Sequence, residues 1–203
     1  MRSPQAQQRL IANELQHHAA VSGSRHVCTL IGVIDDHQVR YAVQELCTGG
    51  TLQATLRSSA ARMPHKSCMR IARGLLHALA ECADKGIVHN DVKPDNLMLL
   101  DGEVKLTDFG SSCTFGKRCQ FATPAYAAPE VARLGLCSTQ SDSWSAGILL
   151  HQLLAHAPVP VTEFPSGTPL EARDLVAALT RLNPEDRLHP YEALGHPYFS
   201  MGA

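Results

Sequence analysis

The 203-residue sequence predicts an α+β fold in which strands and helices occupy separate stretches of the chain. Three observations carry this expectation. Two strand-like runs follow a short opening helix, a second strand pair closes on Asp101-Gly102, and beyond the next loop only helical periodicity remains.

Taken in order, residues 4–20 read as a weakly amphipathic helix, with Leu10, Ile11 and Leu15 forming an apolar stripe among Gln, Asn and His. Ser22-Gly23-Ser24 interrupts it. Residues 27–34 and 38–46 read as a strand pair turning at Asp35-Asp36-His37 and ended by Gly49-Gly50. A long helix is expected over 64–85, because Cys68, Ile71, Leu75, Leu79 and Cys82 recur at three- and four-residue spacings; Gly86 supplies its stop. Residues 97–100 and 103–106 flank Asp101-Gly102, a pair suited to the positive φ values of a type I′ turn. Residues 111–123 carry no core face and read as a loop. A very apolar helix over 143–155 and a Pro-rich connection over 158–169 follow. In Thr168-Pro169-Leu170-Glu171 the next helix has a capping hydroxyl, a first-turn proline and a glutamate placed to bond back to the cap. Asn183-Pro184 closes it.

With 44% hydrophobic residues the chain can bury one sizeable core, and a single domain is expected. Eighteen basic against nineteen acidic residues leave a formal charge of -1, which offers nucleic acid or a membrane surface no electrostatic attraction. The seven cysteines are odd in number and form no C-x-x-C pair, which suits reduced thiols in the cytoplasm or nucleus; Cys113 and Cys119 read as unpaired loop thiols. The opening residues lack the apolar core of a secretory signal, and no apolar run nears the roughly 20 residues that span a bilayer. His17-His18 has no matching ligands nearby and reads as a surface and half-buried pair rather than a metal site.

The chemistry gathers around the Asp101-Gly102 hairpin. His89-Asn90-Asp91-Val92-Lys93-Pro94-Asp95-Asn96 precedes it and Asp108-Phe109-Gly110 follows it. Phosphoryl transfer needs a carboxylate near the attacking hydroxyl, oxygen ligands for Mg²⁺ and a cation for the moving phosphate. Asp91 suits the first task, Asn96 with Asp108 the second and Lys93 the third.

This ordered set resembles the H-R-D-L-K-P-x-N catalytic loop and D-F-G motif of eukaryotic-type serine/threonine protein kinases. The resemblance continues through Thr123-Pro124-Ala125-Tyr126-Ala127-Ala128-Pro129-Glu130, similar to the end of an activation segment, and Asp142-Ser143-Trp144-Ser145-Ala146-Gly147, similar to the start of the central helix. It implies a kinase-like α+β fold over residues 1–203, with 1–46 an amino-terminal remnant of one helix, a strand pair and the hinge, and 47–203 a mostly helical carboxy-terminal lobe. It implies ATP and Mg²⁺ as cofactors and a protein substrate, since Lys93 and Thr123 match serine/threonine members. Asp91 and Lys93 become catalytic residues, Asn96 and Asp108 metal ligands, Gln44 the gatekeeper, Glu45 to Cys47 the hinge facing adenine, and Met98 a floor beneath it. Glu14, His89, Phe109, Gly110, Thr123, Glu130, Asp142 and Arg187 take structural or regulatory places, with Arg187 expected to pair with Glu130.

Several positions depart from the pattern. The thirteen residues before Glu14 hold neither glycine nor lysine, where the family has a phosphate-covering glycine loop and a lysine strand, so a truncated reading of a longer gene and a degenerate kinase both stand. Weak binding of Mg-ATP and slow or absent phosphate transfer are expected on that ground, and a scaffold that binds a protein partner without catalysis is the alternative function. Asn90 replaces the arginine that grips an activation-loop phosphate. His18 replaces an apolar residue of the stack through Leu30, Phe109 and His89, which predicts a weak stack. The stretch before Arg187 is short, which suggests loss of a substrate-docking helix. A small-molecule phosphotransferase is disfavoured by Ala128-Pro129-Glu130.

Overall fold

The computed structural model describes residues 4–36, 39–118 and 122–201, with side chains from Gln8 onward. The architecture is α+β, with three separate two-stranded antiparallel sheets set among helices. Helix α1 (Pro4–Val21) leads to strands β1 (Leu30–Asp36) and β2 (Val39–Gln44), paired from Leu30↔Gln44 to Asp36↔Val39. The strand pair therefore starts three residues later than expected, and Asp35 and Asp36 belong to the ladder rather than the turn; His37 and Gln38 lie outside the described residues.

A short helix α2 (Leu52–Ser58) follows, which sequence reasoning passed over. It is too short to display a periodic stripe, and its signal is the Thr51 cap, whose hydroxyl oxygen accepts the Ala54 N–H at 3.0 Å. Helix α3 (His65–Asp84) is the centre of the core. Its Cys68, Ile71, Leu75, Leu79 and Cys82 are all buried, and Gly86 ends it with φ of 68°.

Strand β3 (Ile87–Val88) pairs with β6 (Cys113–Thr114), while β4 (Leu97–Leu100) and β5 (Glu103–Leu106) form the Asp-Gly hairpin with φ of 50° at Asp101 and 80° at Gly102. This is the positive-φ turn those two residues favour. Helix α4 (Pro129–Leu134) opens the helical remainder, which continues with α5 (Thr139–Ala155), α6 (Leu170–Leu179) and α7 (Pro190–Ala193). Helix α5 begins four residues before the expected start, because its first turn is polar yet buried: Ser138 and Ser141 cap each other, and Thr139, Ser141, Asp142 and Ser143 all face inward. At α6 the expected cap is corrected. The N-cap is Pro169 without a side-chain bond, since the Thr168 hydroxyl donates to the Pro165 carbonyl at 2.8 Å and takes a bond from Arg62 at 3.2 Å.

Leu75, Leu76 and Leu79 of α3 pack with Leu149, Leu150, Leu153 and Leu154 of α5 and with Leu175 and Leu179 of α6, all essentially fully buried. Each contributes roughly 1.5–3 kcal/mol of transfer free energy. Gly147 permits the α5–α6 approach, as a Cβ there would lie 2.7 Å from Thr180 Cγ2 and 2.9 Å from Leu179 Cβ. Among the described cysteines, Cys28, Cys47, Cys68, Cys82 and Cys113 are free thiols, whereas Cys137 is disulfide-bonded, which corrects the expectation of thiols throughout. Odd count and spacing carry no information on which loops meet in space. Cys119 lies outside the described residues. No helix among those residues is long and apolar enough to cross a membrane.

Candidate active site

His89 and Asn90 are placed by a buried carboxylate at the start of α5. Asp142 Oδ2 accepts the His89 backbone N–H at 2.7 Å and Oδ1 accepts that of Asn90 at 2.8 Å. Burial pushes the Asp142 carboxyl up to about 7, while the two N–H bonds pull the other way. This grip holds Asn90 at φ of 66°, a left-handed turn that asparagine tolerates, and sends Asp91 back toward the hairpin.

Four side chains meet there. Asp91 Oδ2 accepts Lys93 Nζ at 2.6 Å and Asn96 Nδ2 at 3.0 Å, and Oδ1 accepts the Thr123 hydroxyl at 2.6 Å. Lys93 Nζ also reaches Thr123 Oγ1 at 3.0 Å. Burial raises the Asp91 carboxyl, but the bonds from Lys93, Thr123 and Asn96 outweigh it and hold the group below its ordinary value. Asp91 is thus an ionised acceptor surrounded by donors. Both Asn96 Nδ2 protons are used within the loop, the second on the Asp91 carbonyl at 2.8 Å, so its amide oxygen is left for another partner.

Asp108 follows β5 at φ of 63°, its Oδ1 accepting the Gly110 N–H at 3.2 Å. Phe109 is buried between two imidazoles, stacked on His18 with centroids 4.8 Å apart and edge-on to His89 at 5.0 Å. His18 thus joins the stack although its side chain is polar. A neutral imidazole offers a flat face, and His18 Nε2 is held by the Cys28 carbonyl at 2.6 Å. Glu14 on α1 lies beside this turn, its Oε2 3.5 Å from where a Cβ on Gly110 would be; burial first, and then the Asp108 charge, push its carboxyl up.

The histidine sandwich gives a pH prediction. Burial lowers the His18 ring below its ordinary 6.5, so on acidification the unfolded chain takes up a proton before the folded one and stability is lost as pH falls through 6.5. His89, wholly buried, is lowered for the same first reason. In urea unfolding at about pH 7.5 and about pH 5.5, His18→Leu is expected to reduce the loss of midpoint on acidification. An unchanged loss would show that His18 does not titrate with folding.

At the hinge, Gly49 N–H donates to the Leu99 carbonyl at 2.9 Å and Leu99 N–H to Gly50 at 2.9 Å, which seats Glu45 to Cys47 beside the strand carrying Met98. Met98 is partly buried and bridges Thr51. Two residues that sequence reasoning missed face this edge. Lys105 Nζ binds Glu45 Oε1 at 2.7 Å, and the Thr107 hydroxyl donates to Gln44 Oε1 at 2.9 Å. Burial raises the Glu45 carboxyl, but Lys105 and the Thr29 N–H together hold it below the ordinary range. Their signal was the alternation after Asp101-Gly102, where Val104 and Leu106 point inward and Lys105 and Thr107 to the opposite face. Below the site, Arg187 and Glu130 meet in a two-pronged ion pair at 2.7 and 3.1 Å.

The donor set fits a hard divalent cation: the Asp108 carboxylate and the Asn96 amide oxygen are the oxygen ligands that Mg²⁺ takes together with phosphate. Among the described residues no cluster of three His, Cys, Asp or Glu forms a metal site by itself. A family profile described as Protein kinase domain matches residues 2–199. CBL-interacting protein kinase 4 of Oryza sativa subsp. japonica is 35% identical over 86% of this chain and 44% of its own length. Calcium-dependent protein kinase 7 of the same organism is 30% identical over 91% and 38%, and Aurora kinase C of Mus musculus 29% identical over 91% and 72%. The chain thus spans about two-fifths of each of the two rice kinases.

Proposed function

The chain belongs to the protein kinase domain family, and from that premise we propose that it transfers the γ-phosphate of Mg-ATP to serine or threonine hydroxyls of a protein substrate. Residues 1–203 are read as one kinase domain, with 1–46 the amino-terminal lobe and hinge and 47–203 the helical lobe. An intracellular setting and a protein partner belong to the same reading. The observation that carries it is Asp91, an ionised carboxylate already accepting one hydroxyl at 2.6 Å beside the Lys93 ammonium.

In this reading Asp91 orients the substrate hydroxyl and takes its proton as the oxygen attacks. Lys93 places a positive charge where the transferred phosphate gathers negative charge, and Thr123 keeps the two side chains in register. Asn96 and Asp108 would hold Mg²⁺, which when bound neutralises charge on the phosphate oxygens. Glu45, Cys47 and Met98 form the edge against which adenine rests. His89, Phe109, Gly110 and Asp142 position this frame, and Glu130 with Arg187 anchors the segment carrying Thr123.

Asn90 favours a second reading, a scaffold that binds a protein partner without catalysis, since an amide in place of arginine carries no charge to hold an activation-loop phosphate. The purified chain, incubated with Mg²⁺, γ-labelled ATP and a mixture of protein substrates, is expected to place label on serine and threonine, slowly, as weak Mg-ATP binding requires. Absence of label with folded protein would assign the chain to the scaffold reading.

A further inference from the structure

Two thiols distant in sequence are brought together where the strand entering β1 meets the hinge. Cys28 and Cys47 are 3% and 6% exposed, and their Sγ atoms lie 3.9 Å apart. Both backbones are held. Cys28 N–H donates to the Leu106 carbonyl at 2.8 Å, its own carbonyl accepts His18 Nε2, and the Cys47 carbonyl accepts the Gly50 N–H at 3.4 Å. The rest of the cysteines have no such partner among the described residues apart from Cys137, which is already disulfide-bonded.

We propose that Cys28 and Cys47 form a reversible disulfide that fastens the hinge to the strand entering β1, and that hydrogen peroxide is a sufficient oxidant. A disulfide needs its sulfurs about 2.0 Å apart, so the pair must close by roughly 2 Å, within reach of side-chain rotation and a small backbone shift. Direct contact of two thiols across a fixed backbone is the geometry from which a disulfide forms without unfolding.

The order of events follows from their surroundings. Burial, and then the neighbouring Cys47, push the Cys28 thiol up to about 12, which keeps it protonated and slow to react with peroxide, so it is not the first sulfur oxidised. Cys47 sits between Leu46 and Thr48, both exposed, and is the one peroxide meets first. The Cys47 sulfur attacks one peroxide oxygen, the O–O bond breaks, and the departing hydroxide takes the thiol proton as water, leaving a sulfenic acid. Cys28 then gives up its proton, its sulfur attacks Cys47 Sγ, and the second hydroxide leaves as water. Two sulfurs have supplied two electrons to one peroxide.

The bond is independent of the kinase reading, and peptide mapping tests it without any activity. Trypsin cuts after Arg25, Arg40 and Arg57, so the two cysteines fall on separate peptides, 26–40 and 41–57. The full chain, treated with a small excess of hydrogen peroxide and then alkylated, is expected to yield these peptides joined, about 2 Da lighter than their sum, and separate again after dithiothreitol. Cys28→Ser and, independently, Cys47→Ser should each abolish the joined species. If both peptides emerge singly alkylated while Cys113 is oxidised, or if Cys28 joins a different cysteine, the proposal is wrong. Over-oxidation of Cys47 to sulfinic acid without a joined peptide would overturn it equally.

Discussion

Asp91→Asn is expected to lower phosphoryl transfer by about 10²- to 10⁴-fold, the range associated with removing a positioned proton acceptor. The change is nearly isosteric, so the loss isolates charge and acceptor capacity. In the parent the two carboxylate oxygens take bonds from Lys93, Asn96 and Thr123, and an amide has one acceptor oxygen to offer them. Its NH₂ would face a donor, and the Lys93 ammonium would lose its counter-charge. Because the Asp91 carboxyl is held below its ordinary value, protonation of this group should not slow transfer by the parent chain on mild acidification. Label transfer by the two purified proteins measures the ratio. A variant that retains the parent rate would remove Asp91 from the proposed mechanism.

Arg187→Ala should cost roughly 3–5 kcal/mol of folding stability, the penalty for stranding the partner of a buried ion pair. The Arg187 side chain is fully buried and Glu130 is 13% exposed, so water cannot replace the lost guanidinium. The arginine does more than pair. Its nitrogens also donate to the carbonyls of Arg181 at 3.0 Å and Gln140 at 2.8 Å, and its Cζ lies 5.0 Å from the Trp144 ring centroid. Arg187→Lys should recover a minor part of the loss, because an ammonium cannot serve a bidentate carboxylate and a planar stack together. Urea midpoints with unchanged slopes give the comparison. A midpoint equal to that of the parent would show that Glu130 is solvated without its partner.

The parts of this structure that were legible in sequence are those encoded by short-range chemistry. Asp101-Gly102 announces its turn through backbone preference, the α3 stripe announces its buried face through spacing, and Asp91, Lys93 and Asn96 announce one polar cluster before the hairpin through residue type and order. What escaped depends on partners far along the chain. Lys105 and Thr107 gain their roles from Glu45 and Gln44, 60 and 63 residues upstream. The first turn of α5 looks like surface until Asp142 is seen gripping two N–H groups at His89 and Asn90. His18 was judged by its polarity, whereas the flat face of a neutral ring is what Phe109 meets. Helix α2 offered one cap and no period.

Helix α3 has a consequence for the order in which the chain acquires its shape during synthesis. One of its faces is closed by Tyr198 and Phe199, whose carbonyl at Phe199 receives the Arg73 guanidinium, and Tyr198 is among the most deeply buried side chains. These two residues leave the ribosome more than a hundred residues after α3 ends. At about 5–20 residues per second, α3 waits on the order of ten seconds with that face uncovered. The nascent chain is therefore expected to hold an apolar helix ready for chaperone capture until Tyr198 and Phe199 emerge and close it.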